Sequence, residues 1–322
     1  MVFDCETATL PFVNSIAQGD SEIKKKIAIA RPLIYDLGWT ITNRKGEILD
    51  SKQFLVAETF AVPAIFNTAY YAEKRPIYLE MIANEEIDIL PWREIMKIFV
   101  ADMETVDAVG AYNSMFDFKK ALPFTELYIN KLYSPDYYTW ENMQYGLCVN
   151  IATTPYKKNE EKDFESDIFR FRGKVYPLFD LWGLATKILL NNVTYKTECL
   201  NHDLLTSSGL YFKTSAESSY QYLINKYDFV ESHTALDDAT IETFILSKIA
   251  SRHAIDIGIS YFPFRDLGET IDFAMRLKKP NISACEKILV TIEKHLEEKE
   301  ENTPYYIKME NKMKMLRQYM GR

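Results

Sequence analysis

Two carboxylates near the start of the chain, Asp4 and Glu6, are the first residues whose types and spacing could do chemistry. They follow the apolar residues Val2 and Phe3. Residues i and i+2 of a β-strand lie on the same face, so a strand here would hold the two carboxylates side by side. Like charges so placed cost free energy unless cations neutralise them. The pair therefore indicates a divalent-metal site, although the same D-x-E spacing recurs in the chain and an exposed turn is the plainer interpretation.

Two later segments carry further acidic candidates. Asp117 follows a strand-like run and a polar turn, and His233 precedes Asp238 by five positions at the start of an amphipathic helical pattern. An acidic residue in the first turn of a helix also complements the helix dipole without any other role, and the acids after His233 fit a helix cap equally well. Asp237 is the neighbouring alternative to Asp238, and helix geometry alone does not choose between them.

The three segments, taken in order, are VFDCET at Val2–Thr7, AYNSMFD at Ala111–Asp117 and HTALDDA at His233–Ala239. Together they resemble the three exonuclease motifs of the DEDDh branch of DnaQ-like 3′–5′ exonucleases, which belong to the ribonuclease H-like superfamily. The resemblance extends over residues 1–250. The segments Lys213–Glu217 and Glu231–His233 are further similar to exonucleases predicted in phage genomes of low-GC bacteria.

This resemblance implies a metal-dependent 3′–5′ exonuclease that hydrolyses phosphodiester bonds and releases nucleoside 5′-monophosphates. The implied cofactors are two divalent cations, Mg²⁺ or Mn²⁺, because hard ions take carboxylate ligands. The implied general base is His233, and the family spacing selects Asp238 over Asp237. The implied metal ligands are Asp4, Glu6, Asp117 and Asp238.

Three residues near these motifs are candidates for substrate binding. By resemblance, Thr7 contacts the terminal 3′-hydroxyl, Phe116 lies beside the terminal nucleotide, and Asn113 belongs to the same site. Thr7 could equally cap the strand, and Phe116 could belong to the core. The implied partner is the 3′ end of single-stranded or frayed duplex DNA, with RNA left open. A catalytically silent nucleic-acid-binding or replication-partner protein on the same fold is the alternative.

The elements that must position these residues form an α/β pattern. The resemblance implies a ribonuclease H-like mixed five-stranded sheet flanked by helices, and the three residues before Asp4 predict a short first strand. The other predicted strands are Leu33–Thr42, Glu47–Val56 and Val106–Tyr112, and the predicted helices are Pro91–Thr105, Phe116–Leu127 and Leu236–Ala250. The first of these helices has an apolar stripe on one face, formed by Trp92, Ile95, Met96, Phe99 and Met103.

The domain prediction places the exonuclease core at residues 1–250. The separation of Asp117 from Asp238 exceeds twice the ~45–50 residues that a helix, a strand and another helix need, which predicts an insertion at about 148–174. Residues 251–322 form a predicted helical extension with two apolar stripes and a basic end, Thr303–Arg322, that could bind phosphates, a replication protein or a second copy of the chain.

The chain has 38 Lys and Arg against 46 Asp and Glu, a formal charge of −8, which predicts end-directed, metal-dependent contact with nucleic acid instead of a broad basic surface. No run approaches the ~18 apolar residues of a membrane span, and the early acids exclude a secretory signal. We therefore expect a cytoplasmic protein, in the host cytoplasm if it is phage-encoded. Free thiols, too far apart for a zinc site, are predicted at Cys5, Cys148, Cys199 and Cys285.

Overall fold

The computed structural model describes residues 1–9, 32–43, 45–133, 168–251, 269–297, 299–301 and 303–321. The chain divides into two compact units. The first comprises Met1–Leu184 and Val230–Tyr261, and the second comprises Ala185–Phe229 and Phe262–Arg322. Each unit therefore consists of two segments that are far apart in the sequence.

The first unit is built on a mixed β-sheet. In chain order its strands are β1 (Val2–Ala8), β2 (Leu33–Thr42), β3 (Ile48–Val56), β4 (Asp88–Leu90), β5 (Val109–Ala111), β6 (Ile168–Phe171) and β7 (Lys174–Asp180). Their order across the sheet is β4-β3-β2-β1-β5-β7-β6. β1, β2 and β3 are antiparallel neighbours, whereas β5 is parallel to β1 and β7 is parallel to β5.

The predicted α/β class and mixed sheet are confirmed, but the number of strands is not. The described residues contain seven strands instead of five, because β4 pairs with β3 at one edge and β6 pairs with β7 at the other. β1 is also longer than predicted. It continues through Asp4 and Glu6 to Ala8 because β2 pairs with it along this length.

The insertion expected at about 148–174 is described only at its end. Residues 134–167 lie outside the described residues. Residues 168–174 form β6 and the start of β7, joined by a turn in which Gly173 has a φ of 78°. This end of the expected insertion is therefore part of the sheet.

Helices flank this sheet. In chain order they are α1 (Ala57–Phe60), α2 (Pro63–Phe66), α3 (Arg75–Ala83), α4 (Trp92–Met103), α5 (Ser114–Phe116), α6 (Leu122–Tyr133), α7 (Leu181–Leu190) and α10 (Ala235–Ala250). A 3₁₀ turn, Ala72–Lys74, precedes α3, and a π-helical turn, Asp117–Ala121, precedes α6. α7 crosses the boundary between the two units.

The main apolar core lies against one face of β1 and β2. Phe3 and Trp39 pack edge-to-face on Phe99 of α4, with ring centroids 5.2 and 5.1 Å away. The predicted apolar stripe of α4 is buried here. On the opposite face, Thr40 of β2 is hydrogen-bonded to Thr243 of α10. Because side chains alternate along a strand, β1 and β2 present a second face, and α10 packs on that face.

The described residues of the second unit are helical apart from turns and isolated β-bridges. Its helices are α8 (Val193–His202), α9 (Ala216–Ile224), α11 (Thr270–Ala274), α12 (Ile282–Glu297) and α13 (Pro304–Met320). The predicted stripe of α12 is buried, at Cys285, Ile288, Leu289, Ile292 and Leu296. Met309, Met313 and Leu316 of the second stripe are buried in α13.

The boundaries of the units differ from the predicted division at residue 250. Residues 185–229 group with the C-terminal helices because hydrogen bonds join the two segments of this unit. The Thr270 N–H donates to the Leu210 carbonyl at 3.0 Å, and the Asn281 amide donates to Asn201 at 3.0 Å. Local sequence patterns do not predict hydrogen bonds between segments so far apart in the chain.

Two basic side chains of the segment Thr303–Arg322 form ion pairs with acidic residues of the same unit. Lys312 is paired with Glu269 and with Asp272, the latter at 3.2 Å, and Arg317 is paired with Glu293. These pairs reduce the positive charge that α13 offers to a phosphate or to a partner. Within the described part of the chain, no helix has the length and apolar character needed to cross a membrane. Cys5, Cys199 and Cys285 are free thiols, as predicted, and Cys148 lies outside the described residues.

Candidate active site

β1 places Asp4 and Glu6 on one face of the sheet. Phe3 and Cys5, which alternate with them, are buried in the apolar core on the opposite face. The pairing with β2 shifts between Glu6 and Thr7, so one residue of β2 is left without a partner there. Such a bulge bends a strand and changes the direction of its side chains, and bulges are frequent beside active sites.

Asp117 lies in the π-helical turn that follows β5. The Cys5 thiol donates a hydrogen bond to its Oδ1 at 3.3 Å, which joins this turn to β1. Asp180, at the end of β7, fixes the chain before Asp117. Its carboxylate accepts hydrogen bonds from the backbone N–H groups of Ser114 at 3.1 Å and Gly183 at 2.6 Å. The ends of β5 and β7 therefore meet beside the acidic pair of β1.

The N-terminus of α10 is held against β2. The first N–H groups of a helix lack partners within the helix, and the N-cap residue Thr234 makes no side-chain cap bond. Asp36 of β2 supplies the acceptor, because its Oδ2 receives the Ala235 N–H at 3.0 Å. A Cβ at Gly38 would lie 2.4 Å from the backbone of Ala235 and Leu236. The absence of a side chain at this position permits the close approach.

The side chain of Asp36 is fully buried and held from three sides. Besides the helix N-terminus, it accepts hydrogen bonds from the Gln53 amide at 2.9 Å and the Tyr78 hydroxyl at 2.8 Å. Burial raises the pKa of Asp36 to about 6, against the opposing effect of these hydrogen bonds. The sequence did not identify this residue as functional, although a lone acid in the apolar run of β2 is the signal that could have done so.

The two consecutive acids at the start of α10 face different surroundings. Asp237 Oδ2 accepts hydrogen bonds from the hydroxyls of Ser232 at 2.7 Å and Thr234 at 2.9 Å, so it stabilises the turn into the helix. Asp238 is buried, with its Oδ2 3.7 Å from His233 Nδ1. The two adjacent acids therefore make different contacts: Asp237 with the turn before the helix, and Asp238 with the surroundings of His233.

Glu6, His233 and Asp238 meet in one cluster. Each offers one ligand atom, and these three atoms all lie within 4.8 Å of one another. His233 Nδ1 is also 3.8 Å from Glu231 Oε2. The backbone of His233 has a φ of 53°, in the left-handed region that non-glycine residues rarely adopt. Residues more than 200 positions apart therefore form one group of candidate ligands.

The predicted metal ligands repel one another electrostatically. Burial and then the charge of Glu242 raise the pKa of Asp4 well above its usual range, with smaller effects from Asp117 and Asp238. Burial and the charge of Asp238 raise the pKa of Glu6 to about 9. Burial raises the pKa of Asp117 to about 8 and that of Asp238 to about 7. All four predicted ligands belong to one acidic cluster, in which Asp117 and Asp238 are buried and Asp4 and Glu6 are half-buried.

Glu242 is a fifth carboxylate of this cluster that the sequence did not identify. It lies one helical turn after Asp238 in α10 and is buried. Its Oε2 accepts a hydrogen bond from the Tyr112 N–H at 3.1 Å, which joins α10 to the end of β5. Burial and the charge of Asp117 raise its pKa well above the usual range. Its spacing from Asp238, on the face shared with Ile245, was the available signal.

Tyr71 and Lys74 complete the surroundings of His233. The Tyr71 ring stacks on the imidazole, with centroids 4.3 Å apart and planes at 13°. The Lys74 ammonium lies 4.7 Å from the Tyr71 ring centroid and donates a hydrogen bond to the Ser232 carbonyl. No local pattern marks this segment, which joins α2 to α3.

The predicted substrate-binding residues lie around the cluster. Thr7 follows Glu6 in β1 and is partly buried. Asn113 is the N-cap of α5 and accepts the Phe116 N–H at 3.3 Å. Phe116 is partly buried and packs on the main apolar core. The roles that the structure gives Asn113 and Phe116 are thus a cap and a core contact, and their predicted contacts with nucleotide stay predictions.

The donor set fits a hard divalent cation. Among the described residues, Asp238 Oδ1 is a buried oxygen with no hydrogen-bond partner. A buried carboxylate oxygen without a donor is costly unless a ligand satisfies it. The surrounding carboxylates supply the oxygen atoms that Mg²⁺ and Mn²⁺ prefer. Asp4, Glu6 and Asp238, with Asp117 adjacent, are the residues that would hold such ions.

Comparisons with protein-family models, curated proteins and solved structures find no match to this chain.

Proposed function

We propose that this protein is a metal-dependent 3′–5′ exonuclease that hydrolyses the terminal phosphodiester bond of DNA. The observation that carries the proposal is the cluster of Glu6, His233 and Asp238, whose ligand atoms lie within 4.8 Å of one another. Two carboxylates and an imidazole, beside further buried carboxylates, are the groups that metal-assisted hydrolysis needs.

The sheet supports the proposal at the level of fold. Its inner strands have the order β3-β2-β1-β5-β7, with the first three antiparallel and the last two parallel to β1. This arrangement is compatible with a ribonuclease H-like fold. The acidic residues of β1, the turn after β5 and the start of α10 correspond to the three motifs of the DEDDh resemblance.

In the proposed mechanism, water attacks the terminal phosphorus and the bond to the 3′ oxygen of the preceding nucleotide breaks. His233 accepts the proton that the attacking water loses, a role suited to an imidazole near neutral pH. Bound divalent cations would supply charge neutralisation at the phosphate and a lowered pKa of the attacking water. The departing 3′ oxygen is protonated by solvent, and the products are a nucleoside 5′-monophosphate and a strand shortened by one residue.

The test compares two adjacent acids. We expect Asp238→Asn to lower Mg²⁺-dependent shortening of a 5′-labelled oligonucleotide by at least about 10³-fold, because a ligand of the reacting centre is lost. Asp237→Asn is the matched control. Its remaining oxygen can still accept the hydroxyl hydrogen bonds of Ser232 and Thr234, so activity should stay within about threefold of the wild type.

Single-stranded DNA, duplex DNA and RNA are digested side by side, in EDTA and with Mg²⁺ or Mn²⁺. Equal loss of activity in the two variants would refute the assigned role of Asp238. If the wild type binds the oligonucleotide but releases no monophosphate with either metal, the protein is a binding protein on this fold and the proposed hydrolysis is wrong.

A further inference from the structure

The turn that precedes α3 brings a lysine beside the acidic cluster. Lys74 ends the 3₁₀ turn Ala72–Lys74 and is partly buried. Its ammonium donates a hydrogen bond to the carbonyl of Ser232, the residue before the candidate base His233. It also lies over the ring of Tyr71, which itself stacks on His233. Lys74 is therefore held at the edge of the site by contacts on both sides.

The positive charge of Lys74 attracts the carboxylates of Glu6 and Asp238, the two that meet His233. Among the ion pairs of the described residues, none joins Lys74 to a carboxylate. Its ammonium thus approaches the acids without the direct pairing that would neutralise it.

The chemistry of the ammonium group leaves capacity for an anionic ligand. A lysine side chain has three N–H donors, and a single backbone carbonyl uses one of them. Lysine is a compact point charge on a flexible stem and is well suited to binding phosphate. In a chain with a net charge of −8, a strand of nucleic acid needs local cations where its end enters.

We propose that Lys74 is a phosphate-binding residue of this site and contacts the backbone of the strand whose 3′ end is hydrolysed. This assignment rests on the proposed exonuclease function and adds a residue to it. The ligand is a phosphodiester of a single-stranded end. Lys74 acts by charge and is not part of the metal or proton chemistry.

The experiment measures the salt dependence of turnover. Removing one phosphate contact from a single-stranded ligand makes the negative slope of log K against log salt shallower by about 0.7. We expect Lys74→Met to reduce kcat/KM about 10-fold at low salt, the effect of one charge-assisted contact, and to make the negative slope of log(kcat/KM) against log[KCl] shallower by about 0.7. Lys74→Arg keeps the charge and should keep the slope.

Lys97→Met is the matched control, because Lys97 is an exposed lysine paired with Glu94 on α4 and should leave both quantities unchanged. Thermal melts verify that each variant is folded. An unchanged slope in Lys74→Met, with an active wild type, would overturn the role of Lys74 and leave the exonuclease proposal standing. An inactive wild type would overturn the exonuclease proposal, and the role of Lys74 with it. A loss shared by Lys74→Met and Lys74→Arg would show a structural role and also overturn the assignment.

Discussion

The imidazole of His233 is surrounded by groups that restrict its orientation. Two carboxylate oxygens, from Asp238 and Glu231, lie 3.7 and 3.8 Å from Nδ1. The Tyr71 ring is stacked on its face. An unusual backbone conformation, with a φ of 53°, places the side chain here. The proposed general base must be aligned with the proton that it accepts, so we expect Tyr71 to act as a positioning residue.

We therefore expect Tyr71→Ala to lower kcat by about 10–100-fold, because a small displacement of a reacting group costs up to that factor. KM should change little. Tyr71→Phe keeps the stacked ring and should keep kcat within about threefold. Tyr305→Ala is the control, because Tyr305 is exposed and packs on a histidine, His295, that lies outside this site. Steady-state kinetics on a labelled oligonucleotide distinguish these cases, and an equal effect of Tyr71→Phe and Tyr71→Ala would contradict a role for the stacked ring.

At the scale of elements, the placement of α10 on β2 determines whether the site can form. Asp36 satisfies the N-terminus of the helix, and Gly38 lets the helix backbone approach the strand. Asp238 and Glu242 both belong to this helix, on the side that meets β1 and β5. The geometry of the acidic cluster therefore depends on a contact between β2 and α10 that contains no candidate ligand.

Gly38→Ala tests this dependence. The added methyl group would lie 2.4 Å from the backbone of α10, so the helix must move. We expect the free energy of unfolding to fall by about 1–3 kcal/mol, together with a loss of the proposed nuclease activity that exceeds the loss of folded protein. Gly321→Ala is the control, because its nearest atom would be 3.7 Å away. Urea denaturation and activity on the same samples provide the measurement, and an unchanged stability of Gly38→Ala would contradict the close contact.

The sequence predicted the elements whose patterns are local. The bounds of β2 agree with the prediction at both ends, and the five apolar residues expected on one face of α4 are all buried. α10 was also predictable, because its apolar residues recur at helical spacing along the buried face. It begins one residue before its predicted start and ends at its predicted end. β4, β6 and β7 were missed. β4 has no fully buried side chain, and β6 and β7 begin within the segment that was interpreted as an insertion.

The candidate site was predictable only as a set of acids and a histidine. Motif resemblance supplied Asp4, Glu6, Asp117, His233 and Asp238, which the structure places in one region. It did not supply the groups that hold them there. Asp36 reaches the start of α10 across 199 positions, and no local pattern encodes a hydrogen bond of that separation.

At the scale of the whole molecule, the buried carboxylates make stability depend on pH. Carboxyl groups of an unfolded chain have pKa values near 4, whereas the folded protein raises that of Glu6 to about 9, Asp117 to about 8 and Asp238 to about 7. Between pH 4 and these folded-state pKa values the folded state binds more protons than the unfolded state. The contribution of these groups to stability is therefore greatest below about pH 4 and falls as the pH rises, until each group has passed its folded-state pKa of about 7 to 9.

In EDTA, we expect the Tm to fall between pH 5.5 and pH 8.5, by about 2–4 °C for each kcal/mol lost. Mg²⁺ or Mn²⁺ should restore stability more at pH 8.5 than at pH 5.5, because the ligands bind metal in their ionised form. Thermal melts at both pH values measure this, with equal ionic strength from KCl as the control. Asp4→Asn should weaken both effects. A metal effect of equal size at the two pH values would contradict an acidic metal site.

The division of each unit into two separated segments has a consequence for synthesis on the ribosome. β1 emerges well before α10, which covers its second face and follows more than 220 residues later. Residues 185–229, which belong to the other unit, are synthesised after β1 and before α10. The two units therefore cannot fold one after the other in the order of synthesis. A nascent chain stalled before residue 235 would present an uncovered sheet with two adjacent carboxylates, which makes the early chain a candidate for chaperone binding.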